Sequence, residues 1–131
     1  MTSKVETLTS PDVMTPIGPY SHIAKANGFI AISAIAGVDP STGELAGDDI
    51  ASQTTRIVKS LEIMLASVNS DLAHVLHINI FLTDMANFKA MNDAYAVAMG
   101  EHRPARSAVA VIAVPKPGAL VTMNLTAVEK D

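Results

Sequence analysis

The chain has 131 residues, 49% hydrophobic and 17% charged, so it has the length of one domain and is too apolar to be disordered. A net charge of −4, with 4% aromatic residues and no Trp, argues against nucleic-acid binding, because phosphates select basic surfaces and bases stack on aromatic rings. The lack of Cys excludes disulfide frameworks, thiolate nucleophiles and cysteine-based zinc sites.

The first third of the chain predicts strands, with β-prone runs at residues 4–8, 21–26 and 29–35. A rigid loop that contains Pro11, Pro16 and Pro19 separates the first two runs, because proline cannot donate to a strand ladder. Asn27-Gly28 is typical of a two-residue hairpin turn between the second and third runs. The Asp-Pro-Ser-Thr-Gly segment at 39–43 has turn chemistry and is expected to end this hairpin.

A helix is predicted after Asp48 or Asp49, either of which can serve as its N-cap. Apolar residues then recur at the spacing of one helical face. They are Ile50, Ile57, Val58, Leu61, Met64, Leu65 and Val68. Residues 75–83 alternate instead, which predicts a central strand. Its apolar face consists of Leu76, Ile78, Ile80 and Leu82.

A second helix is predicted from Asp84 or Asn87, as N-cap, to Gly100, which is placed to end it. Its apolar face consists of Phe88, Met91, Tyr95, Ala98 and Met99. Two last β-prone runs, at 107–114 and 120–128, flank a proline-rich turn. The order ββ-α-β-α-ββ predicts an α+β fold in which both helices cover one face of a sheet. Nothing else in the chain would cover the other face, so we expect self-association.

The sequence also predicts a single soluble domain over residues 1–131. It contains neither a signal-like apolar stretch near residue 1 nor a run of about 18 apolar residues, so we expect a cytoplasmic protein.

The motifs of three common kinds of site are missing from the sequence. His74 and His77 are an i, i+3 pair without an HExxH frame, and no metal site is predicted. No GxSxG elbow is present to expose a hydrolase serine. Gly37 and Gly43 have the spacing of neither a P-loop nor a dinucleotide fingerprint, and no cofactor is expected.

Arg106 is the residue that most suggests a binding site. It opens an otherwise small, apolar strand in which Ala108, Ala110 and Ile112 would share its face, so we expect the guanidinium to need a partner carboxylate. One interpretation is structural, either a solvated arginine at a strand end or an intersubunit salt bridge. The other is a bidentate clamp for a substrate carboxylate, which suits the planar fork of Arg.

A series of motifs extends over nearly the whole chain. It consists of Gly18-Pro19-Tyr20-Ser21, Ser33 with the 39–43 turn, Gln53-Thr54, Phe81-Leu82-Thr83-Asp84-Met85, Phe88, Met91-Asn92-Asp93-Ala94-Tyr95 and Pro104-Ala105-Arg106-Ser107. In order and spacing these motifs resemble the RidA (YjgF) family of reactive intermediate deaminases. The last of them is the most specific to that family.

The resemblance implies a chorismate-mutase-like fold with a mixed sheet, and a homotrimer with a barrel-like centre that would cover the open sheet face. It also implies clefts between subunits, where Arg106 would bind the carboxylate of an imine or enamine acid such as 2-iminopropionate. Tyr20, Ser33, Asn92 and the backbone at Ala108 would line each cleft. The family reaction is hydrolysis to a 2-keto acid and ammonia without a metal or organic cofactor, so the protein mainly orients the reactants and stabilises charge.

Four positions depart from the family pattern. Ala34 stands where the family has glycine, which adds a methyl group where the backbone approaches the ligand. Arg103 replaces a phenylalanine and brings a second cation near the cleft. Thr122 and Asn124 replace glutamates of the last strand, one of which holds the attacking water in active members, so Thr122 would line the substrate site.

Three functions follow from this pattern. The first is a deaminase of altered specificity, acting for example on an aminomuconate-type acid whose two carboxylates would use Arg106 and Arg103. The second is a non-catalytic member that binds small carboxylates, as the missing glutamate suggests. The third is a ribonuclease, which the acidic charge disfavours. Glu101 or Asp93 could replace the glutamate, although both are better explained as solvent-facing helix charges.

Overall fold

The structure is a computed structural model that describes residues 4–131, so the first three residues of the predicted domain lie outside it. Within residues 4–131, two helices and eight strands follow one another in the predicted order, with one small hairpin added. They are β1 (Glu6–Leu8), β2 (Ile23–Ala26), β3 (Phe29–Ala36), β4 (Val38–Asp39), β5 (Glu44–Leu45), α1 (Ile50–Ala66), β6 (Val75–Leu82), α2 (Phe88–Met99), β7 (Ala105–Ala110) and β8 (Val121–Val128). Single 3₁₀ turns, Leu72–His74 and Met85–Asn87, precede β6 and α2.

Six strands form the main sheet in the order β1-β2-β3-β8-β6-β7. All neighbours are antiparallel except β6 and β7, which run parallel, so the sheet is mixed. Because a parallel connection needs a crossover, α2 lies between β6 and β7 in the chain. The predicted α+β fold is confirmed, and β7 is an edge strand within one chain.

The core lies between the sheet and the two helices. Asp49 is the N-cap of α1, where its carboxylate accepts a hydrogen bond from the Ser52 backbone N–H at 2.9 Å. The predicted face of α1 is buried, and it packs in one cluster with alternate residues of β6 and β8. Each fully buried aliphatic side chain contributes about 1.5–3 kcal/mol, which makes this layer the main source of stability. Among these side chains are Ile57, Leu61, Leu65, Ile80 and Met123.

The Asn27-Gly28 hairpin turn is confirmed. Both residues have positive φ angles, 53° and 81°, as the twist of a two-residue turn requires. The 39–43 turn differs from expectation, because it connects the short strands β4 and β5 and does not simply end the first hairpin.

Two predicted side-chain positions were wrong, those of Leu76 and Ile112, whereas Val68 is buried as predicted. A register irregularity between Val75 and His77 turns Leu76 outward, where it is 46% exposed, and buries Val75 in its place. Strand β7 ends at Ala110, so Ile112 is fully exposed and does not share the face of Arg106. Helix α1 ends at Ala66, and Val68 is buried beyond it in the following turn.

The sheet face opposite the helices is uncovered within the described chain. It exposes large apolar side chains, including Phe29, which is 60% exposed, and Val109. Polar pairs lie among them, since the Asn79 side chain donates to Asn124 Oδ1 at 2.9 Å. None of the helices in the part of the chain that is described is long and apolar enough to cross a membrane.

Candidate functional site

A cavity of about 420 Å³ lies between the ends of β3 and β8 and the loop that joins β1 to β2. We call this loop, which contains Pro11, Pro16 and Pro19, the proline-rich loop. We call the cavity the Tyr20 cavity. Its walls include Tyr20, Ser33, Ala34 and Thr122, so four predicted site residues lie together. Thr122 lies between the buried Val121 and Met123 on β8 and is itself only 7% exposed. The walls also include Met14 and Lys116.

His22 fixes the loop that forms one wall of this cavity. Its ring is 3% exposed, and Nδ1 accepts a hydrogen bond from the Ser10 backbone N–H at 2.9 Å. A neutral imidazole that accepts at Nδ1 carries its proton at Nε2, which therefore donates to the Met14 carbonyl at 2.8 Å. The His22 carbonyl accepts from the Ser33 backbone N–H at 2.9 Å. The His22 side chain thus joins two points of the loop, and the His22 backbone carbonyl bonds the loop to β3.

Tyr20 is held by its own turn. The Tyr20 hydroxyl accepts a hydrogen bond from the Ile17 backbone N–H at 3.3 Å, and the Tyr20 backbone N–H donates to the Gly18 carbonyl at 2.9 Å. The ring is 41% exposed, so it remains available to a ligand or a neighbouring subunit.

Gln53 of α1 supports the opposite wall. Its amide nitrogen donates to the carbonyls of Gly47 at 3.0 Å and Gly118 at 3.3 Å, and its oxygen accepts from the Leu120 backbone N–H at 2.7 Å. This fully buried side chain therefore anchors the turn that carries Lys116. The helix also approaches the backbone just after β3 closely, because a Cβ at Gly37 would lie 2.5 Å from the Gln53 carbonyl oxygen.

A second cavity, of about 290 Å³, lies under α2. We call it the Arg106 cavity. The parallel pairing places Arg106 beside Ile78, on the sheet face that the helices cover. Asn92, Tyr95 and Arg103 line the same cavity, so the structure brings the predicted Asn92 and Arg106 together.

Arg106 contacts aromatic rings and no carboxylate. Its guanidinium carbon lies 5.0 Å from the centre of the Tyr95 ring and 5.8 Å from that of Phe88. The ion pairs of the described residues all lie elsewhere. The expected partner carboxylate is therefore not found within residues 4–131, and cation–π contacts take its place.

Tyr95 is 4% exposed, and burial raises the pKa of its hydroxyl above the usual 10.0, although Arg106 and Arg103 act in the opposite direction. The Tyr95 hydroxyl and the Asn92 side-chain oxygen Oδ1 are buried without a hydrogen-bond partner among the described residues. Arg103 is exposed and fixed at the end of α2, where it donates to the Gly100 and His102 carbonyls.

The two cavities share a charge pattern. Their charged lining residues are Lys116, Arg103 and Arg106, with no Asp or Glu, although the chain contains thirteen acidic and nine basic residues. None of the three cations forms an ion pair in the described part of the chain. The arrangement favours an anionic ligand.

The predicted site residues form two groups within one chain, one at each cavity. Ala108 shares the helix-covered face with Arg106 but lines neither cavity. Glu101 and Asp93 do not line either cavity, and Asp93 pairs with Lys89 at 3.0 Å in solvent. Among residues 4–131, no three His, Cys, Asp or Glu side chains gather as metal ligands.

The family model described as Endoribonuclease L-PSP matches residues 10–129. Reactive Intermediate Deaminase A of Arabidopsis thaliana is 32% identical over 112 residues, which cover 86% of this chain and 60% of that protein. A RutC family protein of Pyrococcus horikoshii is 37% identical over 111 residues, or 85% of this chain and 88% of that one.

Two solved structures are similar to this chain over nearly its whole length. Yeast Mmf1 has a TM-score of 0.90 and 29% identity, covering 97% of this chain and 100% of its own. RidA from an Antarctic Psychrobacter species has a TM-score of 0.88 and 27% identity, covering 94% of this chain and 98% of its own.

Proposed function

The chain belongs to the Endoribonuclease L-PSP family, which includes the RidA (YjgF) proteins, and on this premise we propose that it hydrolyses reactive imine or enamine acids to 2-keto acids and ammonia. The observation that carries the proposal is the half-buried Arg106, whose guanidinium lines a cavity without a carboxylate partner in the described chain. Such a guanidinium can form two parallel hydrogen bonds with a substrate carboxylate.

The complete site is proposed to lie between subunits of a homotrimer. The uncovered sheet face, with its exposed apolar side chains, needs a partner surface, and a second copy of the chain supplies one. Tyr20, Ser33, Ala34 and Thr122 of one subunit would then face the Arg106 cavity of the next. Asn92, Arg106 and the backbone at Ala108 would complete the cleft from that side.

The reaction needs little from the protein beyond orientation. Water attacks the carbon of the protonated imine and forms a C–O bond. The protons of the water then move to the nitrogen, the C–N bond breaks, and the products are the 2-keto acid and ammonia in its protonated form. Arg106 holds the carboxylate next to the reacting carbon, and Tyr20 would contact the same carbon centre. Thr122 can hydrogen-bond to the water but cannot accept its proton as a carboxylate does, so we expect a rate about 10²- to 10⁴-fold lower than with a glutamate. No metal or cofactor is part of the proposal.

Altered specificity is part of the same proposal. Three cations line the two cavities without a compensating carboxylate, which favours acids with a second negative charge, such as an aminomuconate-type intermediate. Arg103 and Lys116 are the candidates for that second charge. We also propose a cytoplasmic location, although relatives are named as mitochondrial and chloroplastic proteins.

A second candidate function is carboxylate binding without catalysis, as a sensor or interaction module. It is favoured by Thr122, a neutral residue where active members have a glutamate. A nuclease activity, which the family description names, is disfavoured by the net charge of −4.

The experiment generates 2-iminopropionate and longer or dicarboxylic imines in situ and measures ammonia release with and without the protein. We expect acceleration that falls about 10- to 100-fold in Arg106→Ala, because charge-assisted hydrogen bonds to the substrate are lost. Arg56→Ala, a cation on the outer surface of α1, serves as the matched control. An Arg106→Ala protein as active as the wild type would contradict the proposal that Arg106 binds the substrate carboxylate.

Thr122→Glu separates the two candidate functions. Faster deamination by this variant shows that only the water-holding carboxylate was missing. No acceleration by either the wild type or Thr122→Glu, in a protein that still binds 2-keto acids, would establish the binding module.

A further inference from the structure

We propose that Tyr95 and Phe88 are positioning residues, which form an aromatic bracket that holds the Arg106 guanidinium and leaves its hydrogen-bond donors free for the ligand. The inference rests on the proposed function, because it takes Arg106 as the group that binds the substrate carboxylate.

The bracket is built by one helix and one strand. Phe88 and Tyr95 are seven residues apart on α2, so they lie on the same face two turns from each other. The pairing of β7 with β6 places Arg106 on the sheet face beneath them. The guanidinium carbon is 5.0 Å from the Tyr95 ring centre and 5.8 Å from that of Phe88, within the range of cation–π attraction.

An aromatic ring and a carboxylate hold an arginine side chain in different ways. A carboxylate pairs with the in-plane N–H groups and occupies the fork, whereas a ring attracts the cation through its π face. In the described chain, the Arg106 side chain forms no ion pair, and its guanidinium lies against these two rings. The donors therefore remain available, while the rings restrict the orientation of the side chain.

Tyr95 also offers its own matched control. Its hydroxyl is buried without a partner among the described residues, so Tyr95→Phe removes no hydrogen bond and keeps the ring beside Arg106. Tyr95→Leu keeps an apolar side chain in the core but removes the π face. The pair of variants separates the ring from the hydroxyl.

The experiment measures KM and kcat for 2-iminopropionate, the dissociation constant of pyruvate by calorimetry, and the melting temperature. We expect Tyr95→Leu and Phe88→Leu to raise KM and the pyruvate dissociation constant by about 3- to 30-fold, with a smaller change in kcat. Tyr95→Phe keeps the ring beside Arg106, so we expect its KM and its pyruvate dissociation constant to rise less than those of Tyr95→Leu.

Two results would overturn the bracket. In the first, Tyr95→Leu melts earlier but binds pyruvate as tightly as the wild type, so the ring only packs. In the second, Tyr95→Phe binds as poorly as Tyr95→Leu, so the hydroxyl is the essential group. Pyruvate binding is measured without turnover, so a wild type that fails to hydrolyse imines refutes the proposed function while the binding pattern still decides the bracket.

Discussion

His22 shows at the residue scale how one buried side chain can shape a cavity. Only a neutral imidazole can accept a hydrogen bond at one ring nitrogen and donate at the other, and here both partners are backbone groups of the proline-rich loop. The His22 backbone carbonyl also accepts hydrogen bonds from the backbone N–H and the hydroxyl of Ser33. The position of the loop that carries Tyr20 therefore depends on this ring.

Replacing His22 by Leu should destabilise both the protein and the cavity. The Ser10 N–H and the Met14 carbonyl would lose their partners in a buried setting, so we expect the free energy of unfolding to fall by about 2–4 kcal/mol. We also expect KM to rise, because the Tyr20 wall loosens. Urea denaturation and steady-state kinetics measure these effects.

His74→Leu is the control for this substitution. The His74 ring bonds to Asp71 near the surface, so its loss should cost less than about 1 kcal/mol. Equal stability of His22→Leu and the wild type would show that His22 does not support the loop.

Motifs identified Tyr20, Ser33, Asn92 and Arg106 as site candidates, and the structure places them at two cavities. No sequence motif assigned a role to His22 or Lys116. Their positions depend on contacts between distant segments: the Ser10–His22 hydrogen bond spans 12 residues, and the Gly118–Gln53 bond that anchors the Lys116 turn spans 65. Periodicity and local motifs do not carry such information.

At the scale of elements, α1 serves as the scaffold of the Tyr20 cavity as well as the centre of the core. Its first turns are fixed by the Asp49 cap and by Gln53. The Gln53 side chain bonds to the segment before α1 and to the turn before β8. The lack of a side chain at Gly37, just after β3, allows the Gln53 backbone to lie this close.

Gln53→Met should disrupt this arrangement although the side chains are similar in size. Methionine leaves the Gly47 and Gly118 carbonyls and the Leu120 N–H unpaired, so we expect a loss of about 2–4 kcal/mol in unfolding free energy. Hydrogen exchange at the Leu120 amide should accelerate. Thr55→Ala, exposed on the same helix, is the control, and unchanged exchange in Gln53→Met would contradict the anchoring role.

The sequence predicted both helices, the first hairpin and the central strand, because each has strong periodicity or a specific turn or cap. It misplaced Leu76 because the irregularity in β6 arises from its pairing with β8, which alternation along one strand does not show. The β4–β5 hairpin was missed because strands of two residues have no measurable period.

At the scale of the whole molecule, we propose that the site is completed only when two subunits meet. The Tyr20 group and the Arg106 group lie at separate cavities, and the uncovered sheet face calls for a partner. The sequence predicted self-association, because no further element remains to cover the second face of the sheet. Only the family resemblance implied three subunits. Surfaces that meet across subunits leave no periodic pattern in the chain that forms them.

The most direct test of the shared cleft combines two variants that each lack one half of it. Tyr20→Ala and Arg106→Ala are assayed separately for ammonia release from 2-iminopropionate, then unfolded together, refolded as a mixture and assayed again. If each cleft takes Tyr20 from one subunit and Arg106 from the next, about a quarter of the sites in random mixed trimers should be intact, and activity should return. No recovery after verified subunit mixing, or full activity in a monomer, would contradict the account.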